Sequence, residues 1–127
     1  MAVADDLERI ASAAARPGER LTGILVAELL DASRVYLCAY ESGAWLALDD
    51  GGQPVTSRRA VHEAASLCAL CELAEEVAGI DPGGPRLATV EYLDRIGAGA
   101  GAAFEQSMAS VNALADQVLA RHLTALA

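Results

Sequence analysis

Between Arg34 and Tyr40 the chain reads Arg-Val-Tyr-Leu-Cys-Ala-Tyr, a run of strand-forming residues that is apolar on both faces. Side chains alternate along a strand, so Val35, Leu37 and Ala39 fall on one side and Tyr36, Cys38 and Tyr40 on the other. Ser42-Gly43 breaks the run, Ala44 to Leu48 resumes it, and Asp49-Asp50-Gly51-Gly52 ends it, which is the pattern of a β-hairpin. Pro54 to Thr56 is compatible with a third short strand. A two-stranded hairpin is marginal in water by itself. One that is apolar on both faces has to be covered on both, by helices or by a second subunit.

The flanks supply helical signals. Asp5 or Asp6 can cap a first helix with Leu7, Ile10, Ala11 and Ala14 on one side, ended by Pro17-Gly18. Leu21, Ile24, Leu25, Leu29 and Leu30 predict a second, well-buried helix from about Glu19 to Ala32. After the hairpin, Thr56 or Ser57 can cap a third helix reaching Ala78, with Gly79 at its C-terminal end. Val61, Ala64, Ala65, Cys68, Cys71 and Glu75 form its inward stripe, widened by Leu67, Leu70, Leu73, Ala74 and Val77. Asp81-Pro82-Gly83-Gly84-Pro85 is a firm break, and a fourth helix is predicted over Arg86 to Ile96. Gly97-Ala98-Gly99-Ala100-Gly101-Ala102 weakens or breaks the helix, or lets another backbone approach. From Phe104 the pattern is amphipathic, with Met108, Val111, Leu114, Ala115, Val118, Leu119 and Leu123 inward and Glu105, Asn112, Asp116 and Arg121 outward. The expectation is a mainly helical α+β fold. Residues 1–127 form a single domain, with one β-hairpin between an N-terminal helix pair and three C-terminal helices.

Composition narrows the function. A chain of 127 residues with 54% hydrophobic residues can build a real core. Eighteen acids against nine bases give a formal charge of −9, and every base is Arg. That balance disfavours a nucleic-acid backbone or an anionic membrane as partner. Abundant Ala, Gly and Arg without Lys fits the coding bias of a GC-rich bacterial genome. The N-terminus has the wrong charge for a signal peptide, and no apolar run could span a bilayer. Three cysteines, an odd number, fit free thiols in a reducing compartment. The expected location is therefore the cytoplasm.

Two acidic steps are the first candidate chemistry: Glu72-Leu73-Ala74-Glu75 and, fifteen residues on, Glu91-Tyr92-Leu93-Asp94. Residues three apart share a helix face, so each step can point two carboxylates the same way, and hard divalent cations take oxygen ligands. The spacing resembles the ExxE…ExxD signature of the MazG-like all-α nucleotide pyrophosphatases. That resemblance covers residues 72–94 and implies Mg²⁺ binding by Glu72, Glu75, Glu91 and Asp94 for hydrolysis of nucleoside triphosphates. The chain departs from the family in its upstream hairpin and in having no Lys for phosphate. Solvated helix faces explain the same acids, since Asp5/Glu8 and Glu28/Asp31 repeat the spacing.

Other motifs are weighed by context. Cys68-Ala69-Leu70-Cys71 sits mid-helix without the partners of a zinc site, which reads as buried thiols. His62-Glu63 lacks the second His of a zincin, because Ser66 stands there. Gly97, Gly99 and Ala102 match a dinucleotide fingerprint but follow no strand of a βαβ unit. Arg58-Arg59 opens a helix, either as a surface pair or as an anion contact. Tyr36, Tyr40 and Trp45 could wall a small-ligand pocket between hairpin and helices.

Three functions stay open. The preferred one is a non-catalytic interaction or regulatory module acting as a homodimer or with a protein partner, without a cofactor. The alternatives are a Mg²⁺-dependent nucleotide pyrophosphohydrolase and a small-ligand-binding protein.

Overall fold

The computed structural model describes residues 3–81, 87–97, 112–113 and 115–121. Helix α1 (Val3–Ala14) leads into strands β1 (Leu21–Glu28), β2 (Arg34–Tyr40) and β3 (Trp45–Leu48). Helix α2 (Arg58–Ala78), strand β4 (Leu87–Ala88) and helix α3 (Val90–Gly97) follow. Residues 112–113 and 115–120 are helical as well. No helix among the described residues is long and apolar enough to cross a membrane.

The four strands form one mixed sheet in the order β3-β2-β1-β4. β1 runs antiparallel to β2 and parallel to β4, and β2 runs antiparallel to β3. α2 is the crossover that carries the chain from one edge strand to the other. The fold is thus α+β, but the expected hairpin is half of a larger sheet.

The largest correction concerns Glu19 to Ala32, which forms no helix: residues 21–28 are the strand β1, so one helix precedes the sheet rather than two. β1 is flanked by strands on both edges and covered by helices on both faces. Such a strand shows a near-continuous apolar run, and Leu21 to Leu30 is one, interrupted by Thr22, Gly23 and Glu28; periodicity cannot separate that run from a buried helix. The register then sorts its side chains. Ile24 and Val26 lie opposite Cys38 and Tyr36 on one face, while Leu25 and Ala27 lie opposite Leu37 and Val35 on the other.

The two-sided apolar strand is covered as its sequence requires, by helices. α1 lays Ile10 and Ala14 over Val26, Tyr36, Cys38, Tyr40, Leu46 and Leu48. α2 lays Val61, Ala64, Ala65, Cys68 and Cys71 over Ala27, Val35, Leu37 and Ala47 on the opposite face. Tyr92 and Leu93 of α3 and Ala115, Val118 and Leu119 of the C-terminal helical residues flank α2 in that second core. The apolar faces of the hairpin are therefore not exposed surface.

Local signals behave as sequence chemistry predicts. Ser57 is the N-cap of α2, its side chain accepting from the Ala60 N–H, and Gly79 closes the helix in the left-handed conformation at φ 70°. In the β2–β3 turn Gly43 adopts φ 91°, and a Cβ there would meet the Arg121 guanidinium at 2.6 Å. The segment 86–96 is divided, with β4 at Leu87–Ala88 and a helix only from Val90. Thr89 makes the division, since its hydroxyl accepts from the Tyr92 N–H as an N-cap. Pro54 forms a single bridge to Leu48 rather than a strand. Together with Val55 N–H donating to Ala47 and Trp45 N–H donating to the Arg121 carbonyl, it occupies the outer edge of β3. Phe104, Met108, Val111, Leu114, Leu123 and Gly99 to Ala102 lie outside the described residues.

Candidate functional site

The two acidic steps lie on α2 and α3, which pack side by side, but the four carboxylates have different surroundings. Glu72, Glu91 and Asp94 are exposed. Glu75 is 6% exposed and accepts a hydrogen bond of 2.6 Å from the Tyr92 hydroxyl. Its carboxylate therefore locks α3 onto α2 from inside the core. Its place on the inward stripe of α2 was legible in the sequence; its partner was not. Among the described residues no three His, Cys, Asp or Glu side chains stand together as metal ligands.

The three aromatic candidates are divided by the sheet. Tyr36 and Tyr40 are buried beneath α1, and both hydroxyls are satisfied. Tyr36 donates to Asp50 Oδ1 at 2.9 Å and Tyr40 to the Ala14 carbonyl at 2.5 Å. Trp45 packs on the opposite face, against the α2 core. One pocket does not hold all three. Burial raises both phenols above their ordinary range, each modulated by hydrogen bonds and nearby charges.

The cysteines are free thiols and all are buried. Cys68 and Cys71 face the sheet from α2, whereas Cys38 lies on the far side under α1. The three cannot share a metal. Burial pushes the Cys38 thiol up to about 12, which makes it a poor nucleophile.

An ionic cluster around one buried carboxylate escaped the sequence reading. Asp6 of α1 is 5% exposed and pairs with Arg34 of β2 at 3.1 Å and with Arg9 at 3.6 Å. Arg9 also reaches the Asp50 carboxylate at 3.6 Å, and Arg34 reaches Glu28 at 3.8 Å. These contacts tie α1 to the sheet through charge as well as through apolar packing. The sequence placed Asp6 only as a helix cap, because its partner on the sheet, Arg34, is 28 residues away.

A concave surface with an unassigned polar group lies among the described residues, as a furrow along the outer side of α2. Its apolar half, about 290 Å³, is lined by Leu29 and Leu30 of the β1–β2 turn, by His62, Ser66, Leu67 and Leu70 of α2, and by Val90 and Leu93 of α3. The adjoining polar half, about 340 Å³, shares Leu29, Leu30 and Glu63 and adds Asp31, Ser33, Ser57, Arg59 and Ala60. Arg59 Nε donates to Glu63 at 3.0 Å, and Asp31 accepts from the hydroxyl and the N–H of Ser33, which lower its pKa. Ser66 Oγ is buried with no hydrogen-bond partner among the described residues, a state that costs free energy. Leu30 is 87% exposed at the tip of the turn, beside Ala32 at φ 68°. In sequence, Leu29-Leu30 looked like the buried end of a helix, so the furrow had no legible signal.

No known protein family, curated protein or solved structure matches this chain.

Proposed function

We propose that the protein is a non-catalytic interaction or regulatory module that works as a homodimer. The observation that carries this reading is exposed apolar surface, of which Leu30 and Val90 line the furrow. Leu30, Val77, Ile80 and Val90 are the large hydrophobic side chains most exposed among the described residues, at 87, 47, 42 and 38%. Exposed apolar side chains at the mouth of a hollow mark an interaction site. Three buried titratable side chains are engaged within the fold: Glu75 by Tyr92, Asp6 by two arginines, and Cys38 by the core. Light scattering at micromolar concentration tests the reading, with twice the chain mass expected; a monomer there would refute it.

A second reading, a Mg²⁺-dependent phosphohydrolase, is favoured by one observation. The Glu75–Tyr92 contact sets the helices that carry the two acidic steps side by side. It requires saturable Mg²⁺ binding that disappears in Glu75→Ala.

A further inference from the structure

We infer that the apolar half of the furrow is a pocket for a small neutral molecule, the size of two fused rings, whose single hydrogen-bonding group is received by Ser66. The site lies apart from Tyr36, Tyr40 and Trp45, and it holds for a monomer and a dimer alike.

Size limits the occupant first. The hollow measures about 290 Å³. A cavity of about 150 Å³ in a protein core takes up one benzene ring, so roughly twice that volume suits two fused rings. A protein partner requires about 800 Å² of contact on each side, which a hollow of this volume does not supply.

The walls then decide the chemistry. Leu29 comes from the β1–β2 turn, Leu67 and Leu70 from α2, and Val90 and Leu93 from α3, so three packed elements shape the concavity. Leu67 is buried and Leu70 and Leu93 are partly so, whereas Leu30 at the rim is 87% exposed and gains cover when the hollow is filled. Removing these side chains and the ligand from water supplies the affinity. Glu63 is the carboxylate of this lining, and Arg59 already holds it at 3.0 Å. A cationic ligand would therefore meet no free carboxylate among the described residues of the lining, and an anionic one no free arginine. Charge buried without a partner is costly, which leaves a neutral molecule.

Ser66 supplies the polar contact. The residue lines the hollow and is only partly buried, yet its Oγ is turned inward and has no hydrogen-bond partner among the described residues. One χ1 step between staggered wells re-aims such a hydroxyl. A ligand N–H, hydroxyl or carbonyl then gives it the bond it lacks, since serine both donates and accepts. Apolar walls with a few polar groups that fix orientation are the make-up of small-molecule sites.

The test uses two probes of one shape: indole, which carries an N–H, and indene, which carries none. Wild type and Ser66→Ala are titrated with each, and amide chemical shifts are followed by NMR. Saturable shifts are expected at Ser66, Leu67, Leu70 and Leu93. Wild type is expected to bind indole about tenfold more tightly than indene, the worth of one net hydrogen bond. Ser66→Ala removes a hydroxyl without a partner, so it is expected to melt no lower than wild type and to bind the two probes equally. The comparison of probes on wild type stands by itself should the variant be unstable. Absence of saturable shifts around the hollow would overturn the pocket. Equal affinities in wild type, or a preference for indole that survives in Ser66→Ala, would overturn the role of Ser66. A monomer in light scattering would refute the homodimer and leave this site untouched.

Discussion

Raising the pH should destabilise this protein in a way that can be traced to one thiol. Cys38 is fully buried under α1, and burial lifts its pKa from the ordinary 9.0 to about 12. Below pH 9 the thiol is neutral in both folded and unfolded chains and the pH does not matter. Above it the unfolded chain gives up the proton first, which lowers the free energy of the unfolded state, and stability falls until the folded thiol also titrates near 12. A tenfold difference in proton affinity is about 1.4 kcal/mol, so Cys38 contributes a loss of about 1.4 kcal/mol by pH 10. The chain has no Lys, so no lysine ammonium obscures this window, and the buried phenols add their own loss as the pH reaches 10 and above, equally in both chains. The assay is urea unfolding followed by circular dichroism, under reducing conditions, for wild type and Cys38→Ala. Cys68 and Cys71 are present in both chains, so the difference in slope isolates Cys38. The variant is expected to start lower because of the small cavity and to lose about 1.4 kcal/mol less between pH 8 and pH 10. Parallel profiles for the two chains would refute the assignment of the shift to this buried thiol.

Four further outcomes follow from the geometry. Tyr92→Phe removes the donor to a buried carboxylate and is expected to cost about 2 kcal/mol in chemical denaturation. Calorimetric titration with Mg²⁺ is expected to show no saturable micromolar site, and heat that vanishes in Glu75→Ala would restore the metal reading. Asp6→Asn weakens the pairing with Arg34 and Arg9 and is expected to cost about 1–2 kcal/mol, measured as a lower urea midpoint. Ala32→Gly relieves the left-handed strain at φ 68° and is expected to raise stability by roughly 0.5–1 kcal/mol, read as a higher melting temperature.

The sequence by itself determined the pieces whose causes are local. Ser57 and Gly79 bound α2 because a side-chain oxygen and a left-handed residue satisfy orphan backbone groups within one turn. Ser42-Gly43 turns the chain because glycine tolerates the required φ. Alternation sorted Val35, Leu37 and Ala39 from Tyr36, Cys38 and Tyr40, and with it the requirement for cover on both faces. The inward stripe of α2, Glu75 included, followed from helical spacing alone.

Only the tertiary structure decided the rest. Leu21 to Leu30 is apolar enough for a buried helix or a buried strand, and its neighbours β2 and β4, not its own residues, settle the choice. Tyr36 and Trp45 fall on opposite faces because pairing sets Trp45 against Ala39 rather than Tyr36. Asp6 meets Arg34, and Glu75 meets Tyr92, across gaps no local pattern spans. The furrow exists only because the β1–β2 turn, α2 and α3 converge on it. Backbone preferences act over a few residues, whereas burial is a property of what packs against a residue, so the elements were readable in the chain and the surface they make together was not.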